Sequence, residues 1–340
     1  MTLTQETLGA RPSVAPFAKK RHRPGDVVFH AVVLGAVIVA ISSLIWVMWS
    51  IVKVGVPLID WDFLAVNNGA RPKTAGFTSA LRGSLVVLLI TMLVALPLGF
   101  GAAIYLEKFA VARQQVAARR AVLLRDRLAN ERGLARVGTS VRLIWARLVG
   151  PLNRFVDINI SNLAAVQSDI YGLLGLAVFV TFAGLSESLL AGGLTLAMLV
   201  LPIIIISSRE ALKAVPSSIE QGALALGSTP WQAVRGQVVP AAIPGMLTGS
   251  ILAMSRAIGE SAPLIVVGGV VFSTHIPSVN PVNAGSEALL AMPLQIFFWA
   301  ARPQESFRDL AAAGIVVLMI VLLLMNSVAI FLRNRYSKRW

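Results

Sequence analysis

The chain contains no cysteine, which excludes disulfides and thiolate metal sites and leaves the redox compartment unread. Histidine is nearly as scarce. His22, His30 and His275 are dispersed and show no ligand spacing with carboxylates, so no metal centre is expected. A GxxxxGK[ST] loop is absent, which excludes ATP binding through a P-loop. No serine sits in GxSxG or beside a plausible base. Charge is sparse and lopsided, with 14% charged residues and 16 acidic against 30 basic side chains. Strand-like alternation and barrel patterning are missing too. Nothing here equips the chain as an enzyme in its own right, and no cofactor is expected on it.

What the chain has in abundance is apolar surface. With 56% hydrophobic residues and a mean hydropathy of +0.76, its solvent is lipid. A spanning helix needs about 20 mostly apolar residues, and six stretches qualify, centred on 27–52, 78–105, 170–186, 188–208, 243–272 and 310–332. The expected class is therefore an all-α, multi-pass membrane protein with six transmembrane helices. The first run follows Lys19, Lys20, Arg21 and Arg23 as a signal peptide would. It is too long for one and ends in IWVMWSIVK, so it is expected to remain as an uncleaved helix.

The net charge of +14 is explained by where the charges fall. An inside N-terminus places 1–26, 106–169, 209–242 and 333–340 in the cytoplasm, and these pieces carry 23 of the 30 Lys and Arg. The positive-inside rule thus selects cytoplasmic termini, with membrane lipid and not nucleic acid as the partner of the basic residues. The expected domain plan is a basic N-terminus (1–26), a first helix (27–52), an external loop (53–77), a bundle (78–332) and a basic tail (333–340). Trp46, Trp49 and Trp61 bracket the outer interface as aromatic anchors. Pro97 and Gly99 predict a kink in the second helix, and Pro202, Pro244 and Pro263 predict further bends.

Between the second and third spans, residues 113–154 carry ten Arg in a helical, amphipathic pattern, with Val122, Leu123, Leu128, Leu134 and Val137 as a stripe. This reads either as cytoplasmic helices on anionic headgroups or a partner, or as a solvated charged hairpin. Closely spaced glycines (Gly172, Gly175, Gly184, Gly245, Gly249, Gly259, Gly268, Gly269) suit close helix packing in lipid.

Two segments carry chemistry. Arg256 and Glu260 lie i, i+4 in an apolar helix and share one face. An unpaired charge there costs about 2.5–3.5 kcal/mol, so the pair must face the bundle or a wet cavity. It either readies a planar, multidentate donor for an oxyanion or locks this helix to a neighbour. Just before it, residues 219–246 form a polar loop marked by Gly and Pro, with Ala223, Leu224, Leu226 and Trp231 as its apolar face. A short amphipathic helix of this kind suits a groove on a partner.

That loop resembles the coupling loop of ABC importer permeases, in which EAA, three residues, Gly, nine residues and Ile-x-Leu-Pro follow one another. Gly227 and Pro240, thirteen apart, set the register. The Glu slot is then Gln221, followed by Gly222 and Ala223, with Glu220 one position early and Gln237 and Val239 in the Ile and Leu slots. Further stretches narrow the likeness: GFGAAIYLEKFA (99–110), INISNLAAV (158–166), YGLLGLAVFV (171–180), LAGGLTLAMLVLPIIIISSREALKAVP (190–216), MSRAIGESAPLIVVGG (254–269), QIFFWAARPQESF (295–307) and LLLMNSVAIFLRNRYSKRW (322–340). As a set they resemble the PstA family, one of the two membrane-subunit families of the bacterial phosphate importer. Two regions depart from it: 113–154 resembles an insertion, and AAVQSDIYG brings Asp169 to the expected inner mouth of the third span.

The resemblance implies a type I ABC importer with a MetI-like transmembrane domain in the bacterial inner membrane. Implied partners are a PstC-like permease subunit, two copies of a PstB-like ATPase holding ATP and Mg, and a PstS-like periplasmic phosphate-binding protein. It further implies that Gln221, Gly222, Ala223, Leu226, Gly227, Trp231 and Pro240 couple to the ATPase while Arg256 and Glu260 line the phosphate path. A permease for sulfate, molybdate or tungstate stays open, as does a membrane scaffold or sensor in phosphate-starvation signalling that uses 113–154.

Overall fold

The computed structural model describes residues 24–67, 69, 71–110, 116, 123, 153–269, 277 and 280–336. Among them there is no strand; one isolated antiparallel bridge joins Ser188 to Ala288. The expected stripe in 113–154 falls almost wholly outside the described residues.

In chain order, α1 (Pro24–Gly55) is a continuous 32-residue helix. Its part up to Ser50 forms a unit of its own with exposed apolar side chains, as lipid requires. The second unit, from Ile51 onward, holds everything else. Here α2 (Trp61–Ala65) precedes α3 (Thr78–Ile104), which runs on into a π turn at Tyr105–Ala110. Pro97 inside α3 removes one backbone donor upstream of that turn. Next come α4 (Asn153–Ala165) and α5 (Ser168–Gly175, continuing as a π stretch Leu176–Phe182), whose axes differ by 105°. Ser188 caps α6 (Leu189–Lys213) by accepting from the Ala191 N–H.

A short α7 (Ser217–Ala225) leads into α8, which spans Pro230–Gly259 with a π turn at Val234–Val238. After it α9 (Ala262–Val267), α10 (Met292–Ala300) and α11 (Glu305–Tyr336) complete the fold.

Helices α1, α3, α6, α8 and α11 are each long and apolar enough to cross a bilayer. The remaining expected span is the bent pair α4–α5. From Ser168 to Phe182 there are 15 residues, a rise of about 22 Å against a hydrocarbon core of about 30 Å. That length alone does not span, so a sixth crossing requires α4 as well. The expected fifth span also moves: a capping box at Thr229 and Gln232 starts α8 thirteen residues before 243, and the helix ends at Gly259 instead of running to 272. Pro263 accordingly sits in the first turn of α9, where proline is tolerated, and not in mid-span.

Helices α3 and α6 form the spine of the second unit. In the Thr78 half of α3 Val87 and Ile90 pack on Leu189, Leu196 and Leu264. In the middle Ala95 meets Val200, Ile204, Ala253 and Ala257, and toward the Ile104 end Ala103 meets Leu212, Val238 and Met246. Beside the first of these layers Phe63, Phe77 and Trp299 form an aromatic cluster with centroids 5.5–6.1 Å apart. Gly83 lets α3 come close: a Cβ there would lie 1.9 Å from the Leu290 carbonyl oxygen. The expected packing role holds for Gly172, Gly175, Gly245, Gly249, Gly268 and Gly269, whereas a Cβ at Gly184 or Gly259 would meet nothing within 4 Å.

Candidate functional site

The coupling-loop candidates form a corner between α7 and α8. Gln221, Gly222 and Ala223 sit on α7, and Leu226 is its C-cap. Gly227 adopts φ +87°, in the left-handed region that side chains with a Cβ avoid. The Ser228 N–H donates to Ala223 O (3.2 Å) and the Gly227 N–H to Leu224 O (3.0 Å). These two bonds are those of a Schellman stop, which needs a residue at ease with positive φ in the Gly227 position. Two residues later Thr229 opens α8: its hydroxyl accepts from Gln232 N, Gln232 Oε1 accepts from Thr229 N, and Pro230 occupies the first helical position. The chain turns between two helices within four residues, Leu226–Thr229.

This corner is turned outward. No residue of α7 is buried, and Leu224, Leu226 and Trp231 are 40%, 89% and 54% exposed. Gln221 and Gly222 are exposed and Ala223 half-buried. Pro240 is also exposed but stands nine residues beyond Trp231, past the π turn, so it belongs to the shaft of α8 rather than to the corner.

Ion pairs that the sequence reading did not single out fasten the corner to the bundle. Lys108 Nζ lies 2.7 Å from Glu220 Oε2, joining the π turn of α3 to α7. Arg209 on α6 donates from Nε to Glu107 (3.2 Å) and from Nη1 to Asp157 on α4 (2.7 Å). The Phe109 ring rests 6.0 Å from that of Trp231. The available signal was that the Glu–Lys step in YLEKFA and the Arg–Glu step in SSREALK both terminate apolar runs.

Arg256 and Glu260 are brought together, with Arg256 Nε 3.2 Å from Glu260 Oε1. Arg256 lies in the last turn of α8 and Glu260 is its C-cap residue. Their depth follows from their neighbours: Ala253, Met254 and Ala257 pack beside Ala95, halfway along α3, and Val200, halfway along α6. Ala257 and Ile258 turn into the bundle while the Arg256 side chain is 55% exposed and that of Glu260 19%. Leu252, one turn below Arg256, is 68% exposed on the same face. Among the described residues the Nη1 and Nη2 groups of Arg256 have no partner. Asp169 lies in the first turn of α5, where it accepts from Gln167 Nε2 (3.2 Å) and its charge suits the helix dipole.

Residues 143–340, more than half the chain, match the family model described as "Binding-protein-dependent transport system inner membrane component". The chain is 25% identical to "Probable ABC transporter permease protein YqgI" of Bacillus subtilis (strain 168), covering 91% of this chain and 93% of the relative. It is 28% identical to "Phosphate transport system permease protein PstA" of Yersinia pestis (86% and 85% covered). To "Phosphate transport system permease protein PstA 1" of Mycobacterium tuberculosis (strain CDC 1551 / Oshkosh) it is 25% identical (89% and 86%). Among solved structures, an inward-facing MetNI methionine ABC transporter aligns with 76% of this chain and 97% of its own at 16% identity and TM-score 0.49, too weak a likeness to fix any element's place. On the family match, this all-helical, multi-pass chain belongs to the binding-protein-dependent transport system inner membrane components.

Proposed function

We propose that this chain is one of the two membrane-spanning subunits of an ATP-driven importer of inorganic phosphate. The observation that carries the reading is Arg256: a cation at mid-depth whose two outer amino groups have no partner among the described residues, on a face of α8 that the described residues of its own unit leave open. Facing lipid it would cost about 2.5–3.5 kcal/mol, so that face is covered by a second subunit across a wet path. A guanidinium offers a tetrahedral oxyanion paired donors, and Glu260, engaging only Nε, steadies the group without occupying its outer edge. Phosphate is favoured among oxyanions because two relatives that match most of this chain, from Yersinia pestis and Mycobacterium tuberculosis, are named phosphate permeases.

In this reading the chain does no chemistry. A PstC-like subunit supplies the other wall of the path, two PstB-like ATPases bind ATP and Mg, and a PstS-like protein delivers phosphate from outside. The membrane is a bacterial inner membrane with both termini cytoplasmic. The exposed corner at Leu224, Leu226 and Trp231 seats in a groove of one ATPase, and closure of its nucleotide sites drives the bundle between two arrangements.

Sulfate or molybdate permeation is the second reading, since YqgI's name states no substrate and Arg256 suits any oxyanion. Uptake by vesicles holding the reconstituted complex and its binding protein decides between them. ATP-dependent accumulation of labelled phosphate, undiminished by excess sulfate or molybdate, is expected. Accumulation of sulfate or molybdate in its place refutes the phosphate assignment.

A further inference from the structure

The π turn that closes α3 makes a different contact at each of four successive residues. Glu107 holds Arg209 of α6, Lys108 holds Glu220 of α7, Phe109 packs on Trp231 of α8, and the Ala110 carbonyl accepts from Asn153 of α4 (3.1 Å). Both limbs of the coupling corner are thus gripped by two neighbouring side chains of one spanning helix. The Lys108 and Glu220 side chains are only 16% and 28% exposed. Partly desolvated charges of opposite sign stay where they are only while paired, because removing either partner strands the other. Glu220 is consequently committed within its own chain and is not a free carboxylate for the ATPase to grasp. Short π segments recur at functional positions in helices, which fits a turn used as a junction.

We infer that Lys108 and Glu220 are positioning residues that make the coupling corner and the inner end of α3 one rigid strut, so that force applied at Leu224 and Leu226 moves α3 directly. Without this pair, α7 would be tied only to its chain ends and to the Val234–Val238 turn of α8 that it packs on, and could tilt with that turn while α3 stayed still. The inference rests on the importer reading for what pushes the corner, but the strut itself can be measured without transport.

The chain has no native cysteine, so Gly101→Cys on α3 and Ser218→Cys on α7 create its sole labelling sites. Gly101 has open space around it and Ser218 is exposed outside the docking face. Spin-label distances between them are measured in the full complex, with other chains made cysteine-free, in nucleotide-free and ATP-trapped states. The strut gives one narrow distance in both states. Lys108→Met or Glu220→Gln broadens it, keeps the ATPase co-purifying, and lowers phosphate moved per ATP by about fivefold or more, the low end of ordinary coupling energies. The exchange Lys108→Glu with Glu220→Lys restores both readouts. A wild-type distance that changes with nucleotide overturns the inference, as do single variants that leave distance and stoichiometry intact or that lose the ATPase. Wild-type vesicles that turn over ATP without moving phosphate refute the proposed substrate alone; the distances still judge the strut.

Discussion

Replacing Gly227 isolates what the coupling corner requires. Nothing lies within 4 Å of a Cβ built there, so a small side chain meets no clash and the whole cost is conformational. At φ +87° an L-residue with a Cβ loses about 1–2 kcal/mol, and a β-branched one loses more. A loss of that size shifts the balance between formed and frayed corner by about 5- to 30-fold for alanine. Asparagine, which tolerates left-handed backbone, should lose least despite being larger than alanine. The expected order of phosphate uptake in reconstituted vesicles is therefore Gly, Asn, Ala, Val, with protein insertion and subunit assembly unchanged. If valine supports wild-type uptake, or if uptake follows side-chain volume so that asparagine is worse than alanine, the backbone argument fails.

Arg256→Gln should insert and assemble normally yet lose most uptake, whereas wild-type uptake would reduce the Arg256–Glu260 pair to a packing role. Gly83→Ala pushes a methyl into the Leu290 carbonyl and should cost about 1–3 kcal/mol in thermal unfolding of the detergent-solubilised chain, while Gly35→Ala, with nothing within 4 Å, should not destabilise it. Arg209→Met strands Glu107 and Asp157 and should lower stability by about 1–3 kcal/mol, part of which Glu107→Gln recovers; an unchanged melting temperature would show the three-helix ion cluster to be idle.

The helical, multi-pass class was legible because apolar runs of membrane length leave few alternatives. Helices α3 and α6 lie close to where hydropathy places them. Boundaries set by local hydrogen bonding were harder to read. The start of α8 follows from the Thr229–Gln232 capping box, which falls within a polar loop where hydropathy is blind, and its stop at Gly259 falls within an apolar run. The break between α4 and α5 is marked by the polar Gln167–Ser168–Asp169 step, but composition does not show the 105° angle between the two helices. At the candidate site the sequence supplied the i, i+4 charge pair and the Gly227 register. It did not supply the junction at Glu107–Ala110, because Lys108 and Glu220 are 112 positions apart and only the tertiary fold brings them together.

Arg256 can line an anion path only if the open face of α8 meets water and not lipid, and Leu252 reports on this with Arg256 left in place. Leu252→Cys would be the chain's only thiol, on the same face one turn away. Its rate of modification by a charged, water-soluble thiol reagent is measured in the assembled complex with and without phosphate. The expected result is ready modification, slowed by phosphate and not by equal sulfate. A cysteine that the charged reagent cannot reach, while a membrane-soluble reagent can, would put this face in lipid and contradict the proposed path.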